Sequence, residues 1–178
     1  MQRKLFITQQ ILFYLFAVVS LATLVLALAF MTDFKTLFQQ AAGIGTFHDD
    51  VLQVFNRSIF SASLVMVIGA GVIAFFDFRK SIADYVGLGV LGVLTIYNIW
   101  KSISFISQLS DMASTYLALD FSQLLLASGV VYNVTTRTFD ITRMIYICVI
   151  VISAAFLIVS VANTLIYLNK RKEEIANG

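Results

Sequence analysis

RMIYICVIVISAAFLIVSVANTLIYL, residues 143–168, carries one charge, at its first position, and neither proline nor glycine. A helix needs about 20 predominantly apolar residues to cross about 30 Å of hydrocarbon at 1.5 Å rise per residue, so this stretch is long enough to span a bilayer. Residues 11–31, 59–76 and 86–106 have the same character. The predicted fold is an all-α integral membrane protein, a single domain over residues 1–178. Its four transmembrane helices form an up-down bundle with two long extracytoplasmic connections containing short helices.

The rest of the composition agrees. Hydrophobic residues make up 60% of the chain, above the 45–50% usual for soluble domains, and the charges sit almost entirely between the apolar stretches. A net charge of +2, divided among short clusters, forms no continuous basic stripe, which excludes nucleic acid as a partner. The single cysteine, Cys148, lies inside the fourth span, so dithiol chemistry within this chain is excluded and the residue reads as a small apolar side chain. Proline is absent, which removes the commonest cause of sharp kinks and predicts mostly straight helices. The first span, with Arg3 and Lys4 before it and Ala27-Leu28-Ala29 near its end, resembles a signal peptide, but its apolar run exceeds the usual core length and an uncleaved helix is expected.

Basic residues set the orientation. Arg3 and Lys4, Arg79 and Lys80, and Lys170-Arg171-Lys172 fall densely on one side, which places both termini in the cytoplasm of a multi-pass protein of the cell membrane. Spans two and three are joined by residues 77–85 and should form a tight antiparallel hairpin. In the first long connection, Asp33, Phe34, Leu37, Phe38 and Ala41 have helical spacing, Gly43-Ile44-Gly45 should break it, and Thr46 with Asp49 has the spacing of a helix cap. In the second, residues 108–140, a start signal at Ser110-Asp111 precedes Met112, Tyr116 and Leu119 at helical spacing. Residues 124–131 are apolar but too short to span, residues 130–139 suggest extended chain, and Asp140 is placed to cap the last helix. Met112, Tyr116, Leu119 and Leu124 therefore form a candidate partner or lipid surface.

Polar residues within the spans are the informative ones. Thr95, Asn98 and Ser102 share a face of the third span with Lys101 beside them, and Ser153, Ser160 and Asn163 form a second stripe on the fourth. These residues either line a path for a small solute or hydrogen-bond across helices. The second reading is preferred, since such bonds contribute roughly 0.6 to 2 kcal/mol and fix pairing without transport. No Asp or Glu lies deep in any span, which counts against a carboxylate-coupled carrier. His48, Asp49 and Asp50 are a solvated helix start and not a metal centre, and no cofactor is implied.

With no catalytic constellation, the chain reads as a non-enzymatic accessory or structural subunit, acting through helix packing and its outer segments on membrane lipids, other membrane proteins or copies of itself. The alternative is a subunit of an oligomeric channel or small-solute transporter.

Overall fold

The computed structural model describes residues 2–30, 42–75, 81–123, 126, 129 and 131–176. They form α1 (Gln2–Ala29), α2 (Ala42–Thr46), a π-helical stretch (Phe47–Leu52), α3 (Gln53–Phe75), α4 (Ser81–Leu117) and α5 (Arg137–Ala176), with no strand among the described residues. Four helical runs are long and apolar enough to cross a membrane: Lys4–Ala29, Gly43–Ala74, Gly87–Leu117 and Arg137–Ala176. α1 and α4 each pack on both α3 and α5, which closes a ring. Neighbours run antiparallel: Phe16 meets Phe156 while Phe30 meets Phe139, and Phe55 meets Phe105 while Gly69 meets Leu94. This is the expected up-down bundle.

The seam of the bundle has a regular 3-4 spacing. Its buried positions on α5 are Phe139, Thr142, Tyr146, Val149, Ser153, Phe156 and Ser160. Those on α4 are Leu91, Thr95, Asn98, Ser102, Phe105, Leu109, Met112 and Tyr116. A mean period of 3.5 keeps one line of side chains facing the neighbouring helices, the repeat of left-handed bundles. Hydropathy hides it, because outward positions such as Val93, Ile96 and Ile103 are as apolar as the core.

The 40 residues of α5 are about 60 Å long at 1.5 Å per residue, twice the hydrocarbon thickness, so the bundle extends beyond a bilayer. Its core divides accordingly. One cluster, toward the end that carries both termini, joins Phe16, Met66, Ala70, Ile73, Leu91 and Phe156. A larger one, toward the opposite head, is rich in aromatic rings, among them Phe30, Phe47, Phe55, Phe105, Tyr116 and Phe139.

Several local expectations are corrected. The third long helix runs unbroken to Leu117 and does not restart at Ser110. The Ser110 hydroxyl donates back to the Ile106 carbonyl at 3.2 Å, and those of Ser114 and Thr115 donate to Asp111 O at 2.8 and 2.9 Å, so all three bond the preceding turn instead of capping a new helix. Gly43 and Gly45 lie within α2 and do not interrupt it. Thr46 is helical (φ −60°, ψ −45°) and makes no side-chain capping bond. α5 begins at Arg137, so Asp140 sits in its first turn, where its Oδ2 accepts from the Thr136 hydroxyl at 3.3 Å. Of the residues expected as extended chain, 131–136 are irregular and 137–139 belong to α5. The helical spacing read over residues 33–41 and the basic pair Arg79-Lys80 lie outside the described residues.

At Gly69 the Leu94 side chain of α4 seats against the α3 backbone. A Cβ there would stand 2.5 Å from Leu94 Cδ1, whereas one on Gly71 would meet nothing within 4 Å. Gly69→Val displaces the Leu94 side chain from its seat and is expected to lower stability by about 1 kcal/mol, with Gly71→Val near neutral. Denaturant unfolding in mixed micelles checks this, and equal effects of the two substitutions would refute the close approach.

Candidate functional site

The polar side chains predicted to matter lie on α4 and α5, and the seam brings some of them together. Asn98 and Ser153 face each other across these helices, both buried, and Asn98 Nδ2 donates to Ser153 Oγ at 3.1 Å. Thr95, fully buried one turn away, donates its hydroxyl to the Leu91 carbonyl at 2.8 Å. It is satisfied within its own helix. Ser102 Oγ is buried and makes no hydrogen bond.

Ser160 and Asn163 do not join that pair. They meet Gln9 of α1, whose Nε2 donates to Ser160 Oγ at 3.1 Å while its Oε1 accepts from Asn163 Nδ2. Gln9 is 6% exposed and ties α1 to α5 near the termini. Sequence reasoning placed this residue ahead of the first span and passed over it. The signal that would have found it is the seam itself, because Gln9 lies seven residues before Phe16, with Ser20, Thr23, Ala27 and Phe30 following at spacings of four and three, all buried.

Between the two polar layers the seam is closed. Phe156 stands between Ser153 and Ser160 with 0% exposure, its ring 5.5 Å from that of Phe16 and 5.9 Å from that of Phe13. Leu91, Met66 and Ile73 complete the cluster. The two layers are separate hydrogen-bonded knots and not successive stations of one polar path.

Lys101 stays apart from both. It is half-buried, with Nζ 5.1 Å from the Trp100 ring centroid and 6.0 Å from those of Tyr97 and Phe105. The ammonium is held by ring quadrupoles, and Trp100, 60% exposed, marks the outward side of this group.

At the head, Met112 and Tyr116 are buried within the chain's own aromatic core and Leu119 packs against it, so the expected partner surface is not formed by them. The sequence placed them on one helical face, and that face is the continuing seam. Leu124 lies outside the described residues. The Tyr116 and Tyr132 hydroxyls share a hydrogen bond at 3.0 Å, and Phe121 stacks on Tyr132 with ring centroids 5.3 Å apart. Burial, followed by the contact with Tyr116, pushes the Tyr132 phenol far above its ordinary range. At the exposed turn beyond α4, the Ser122 hydroxyl and then its N–H hold the Asp120 carboxyl below the usual range.

Near the π-helical stretch, Gln53 N–H reaches the His48 carbonyl five residues back, and Phe47, His48 and Leu52 are buried together. His48 Nδ1 lies 2.8 Å from Asp49 Oδ1. No group of three or more His, Cys, Asp or Glu side chains able to hold a metal occurs among the described residues.

No protein-family model, curated protein or solved structure matches the chain.

Two outcomes follow. Asn98→Ala and Ser153→Ala should each destabilise the bundle, and a double-mutant cycle should return a coupling of roughly 0.6–2 kcal/mol. Ser102→Ala, which removes an unbonded hydroxyl, should be neutral or stabilising; additive effects of the first two would show that the pair does not form. The Tyr132 shift also has a definite sign. With the folded phenol raised above its unfolded value of about 10, its contribution is intact below that pH and is lost as pH rises through it toward the folded pKa. Alkaline ultraviolet titration should show tyrosine ionising only on unfolding, and Tyr132→Phe should reduce the amplitude of that phase.

Proposed function

We propose that this chain is a non-enzymatic structural or accessory subunit of a membrane, with its intramembrane polar groups spent on fixing which helix packs on which. The observation that carries this reading is the buried Phe156–Phe16 contact between the two polar layers, each of which is hydrogen-bonded across helices. A solute pathway through one copy would need those polar groups to face a continuous opening. Four apolar helices make the chain a candidate multi-pass membrane protein. The density of basic residues at the end carrying the termini supports a cytoplasmic placement for that end.

Contact with another membrane protein then falls to the rim of the head. Leu117, Leu126 and Val131 are 57%, 86% and 82% exposed, while Met112 and Tyr116 are occupied internally. Lysine at position 101 serves as an anchor in an aromatic girdle, consistent with the amphipathic residues favoured at bilayer boundaries.

Purified full-length protein in planar bilayers and in solute-loaded liposomes is expected to give no conductance and no flux. Crosslinking from Leu117 in native membranes is expected to recover a protein partner. A steady conductance altered by Asn98→Leu would overturn the reading in favour of a channel subunit.

A further inference from the structure

α3 and α4 part on the half nearer their short connection. There the two helices leave an open groove of about 540 Å³, walled by Val65, Ile68 and Val72 on one side and Gly89, Val90 and Val93 on the other. Its floor is Leu94 set into the notch at Gly69. Val65, Ile68, Val72 and Val93 are between 44% and 70% exposed, so the groove opens outward from the bundle and not into it.

We propose that this groove binds one acyl chain of a membrane phospholipid. The inference rests on the membrane reading above but not on the accessory role. The lining consists of aliphatic side chains and glycines, with no side-chain donor or acceptor to recognise a headgroup, a peptide backbone or a polar solute. The walls run from Val65 to Val72, about 10 Å at 1.5 Å per residue, within the reach of one leaflet's chains, about 15 Å. The space is built in, since a Cβ on Gly89 or Gly92 would meet no atom within 4 Å. A second copy of this chain is the rival occupant. The exposed Val65, Ile68 and Val72 on one wall and Val93 on the other hold an approaching helix off the Leu94 floor. A flexible chain also fills a narrow slot that a helix, about 10 Å across with its side chains, would only bridge.

The test uses the full chain in detergent micelles, titrated with palmitoyl-oleoyl phosphatidylcholine and read by native mass spectrometry. A single tightly held lipid is expected, with Gly89→Leu weakening it about tenfold, equivalent to about 1.4 kcal/mol. Dihexanoyl phosphatidylcholine, with the same headgroup and short chains, should bind far less. Equal binding of the two lipids by the unaltered chain, or equal binding by wild type and a folded Gly89→Leu variant, would overturn the proposal. So would efficient disulfide-linked dimer formation by Val93→Cys in a Cys148→Ser background in vesicles, which would place a second copy over the groove. Conductance would sink the accessory reading and leave this result untouched.

Discussion

A polar side chain inside hydrocarbon has no water to turn to, so it must find its partner within the protein. That constraint organises the membrane half of this bundle, with the buried, unbonded Ser102 hydroxyl as its exception. Gln9, Asn98, Ser153 and Ser160 are all buried on the seam, and each bonds a residue of another helix. Thr95, Ser20 and Thr23 meet the same demand locally by bonding carbonyls three or four residues back. Apolar burial gives helices little reason to associate when lipid is equally apolar. Small side chains that permit close approach, together with a few cross-helix hydrogen bonds, then decide the pairing.

The rule inverts along the length of α4. In its first half the seam is polar at Thr95, Asn98 and Ser102, while Val93, Ile96 and Ile103 face outward. Beyond Phe105 the seam becomes Leu109, Met112 and Tyr116, and the outward positions become Gln108, Ser110, Asp111, Ser114 and Thr115. The helix geometry does not change, but its solvent does. Past the bilayer boundary, burial of apolar surface regains its worth of about 25 cal/mol per Å², and the aromatic cluster of the head is the result. Phe55, Phe105 and Tyr146 lie where the two regimes meet, with ring centroids 5.7 and 5.2 Å apart in sequence around Phe105.

This inversion explains what could be read from the sequence. The four apolar runs and their antiparallel order were legible, because length and hydropathy suffice for them. Asn98 and Ser153 were legible as polar intruders. Gln9 was not, since it stands at the edge of an apolar run where a polar residue looks like flanking sequence, and only the 3-4 spacing from Phe16 marks it. The continuation of α4 to Leu117 was obscured in the same way. Ser110 and Asp111 resemble a start signal wherever they occur, and the back-bonding of the Ser110 hydroxyl to the Ile106 carbonyl depends on a helix already present. Met112 and Tyr116 were correctly placed on one face, but nothing local says whether such a face meets a partner or the rest of its own chain. Thr46 failed as a cap for a related reason: the glycines before it are held in helix by the packing of Ile44 and Phe47 into the head core, a tertiary effect that outweighs local propensity.

The same geometry bears on whether the bundle could conduct. A route through one copy must pass the level of Phe156, where Phe13, Phe16, Met66, Ile73 and Leu91 converge from all four long helices. Opening it would expose these side chains to water and would carry the Gln9 knot apart from the Asn98–Ser153 pair. A route between copies would instead be walled by the outward faces, and among the described residues those are mostly apolar side chains such as Val18, Ile68, Val93 and Ile158. Lys101 does not change this, because its ammonium is turned toward the rings of Trp100, Tyr97 and Phe105. The polar groups of this chain thus hydrogen-bond α1 to α5 and α4 to α5 at two levels of the seam, with the Phe16–Phe156 contact between them.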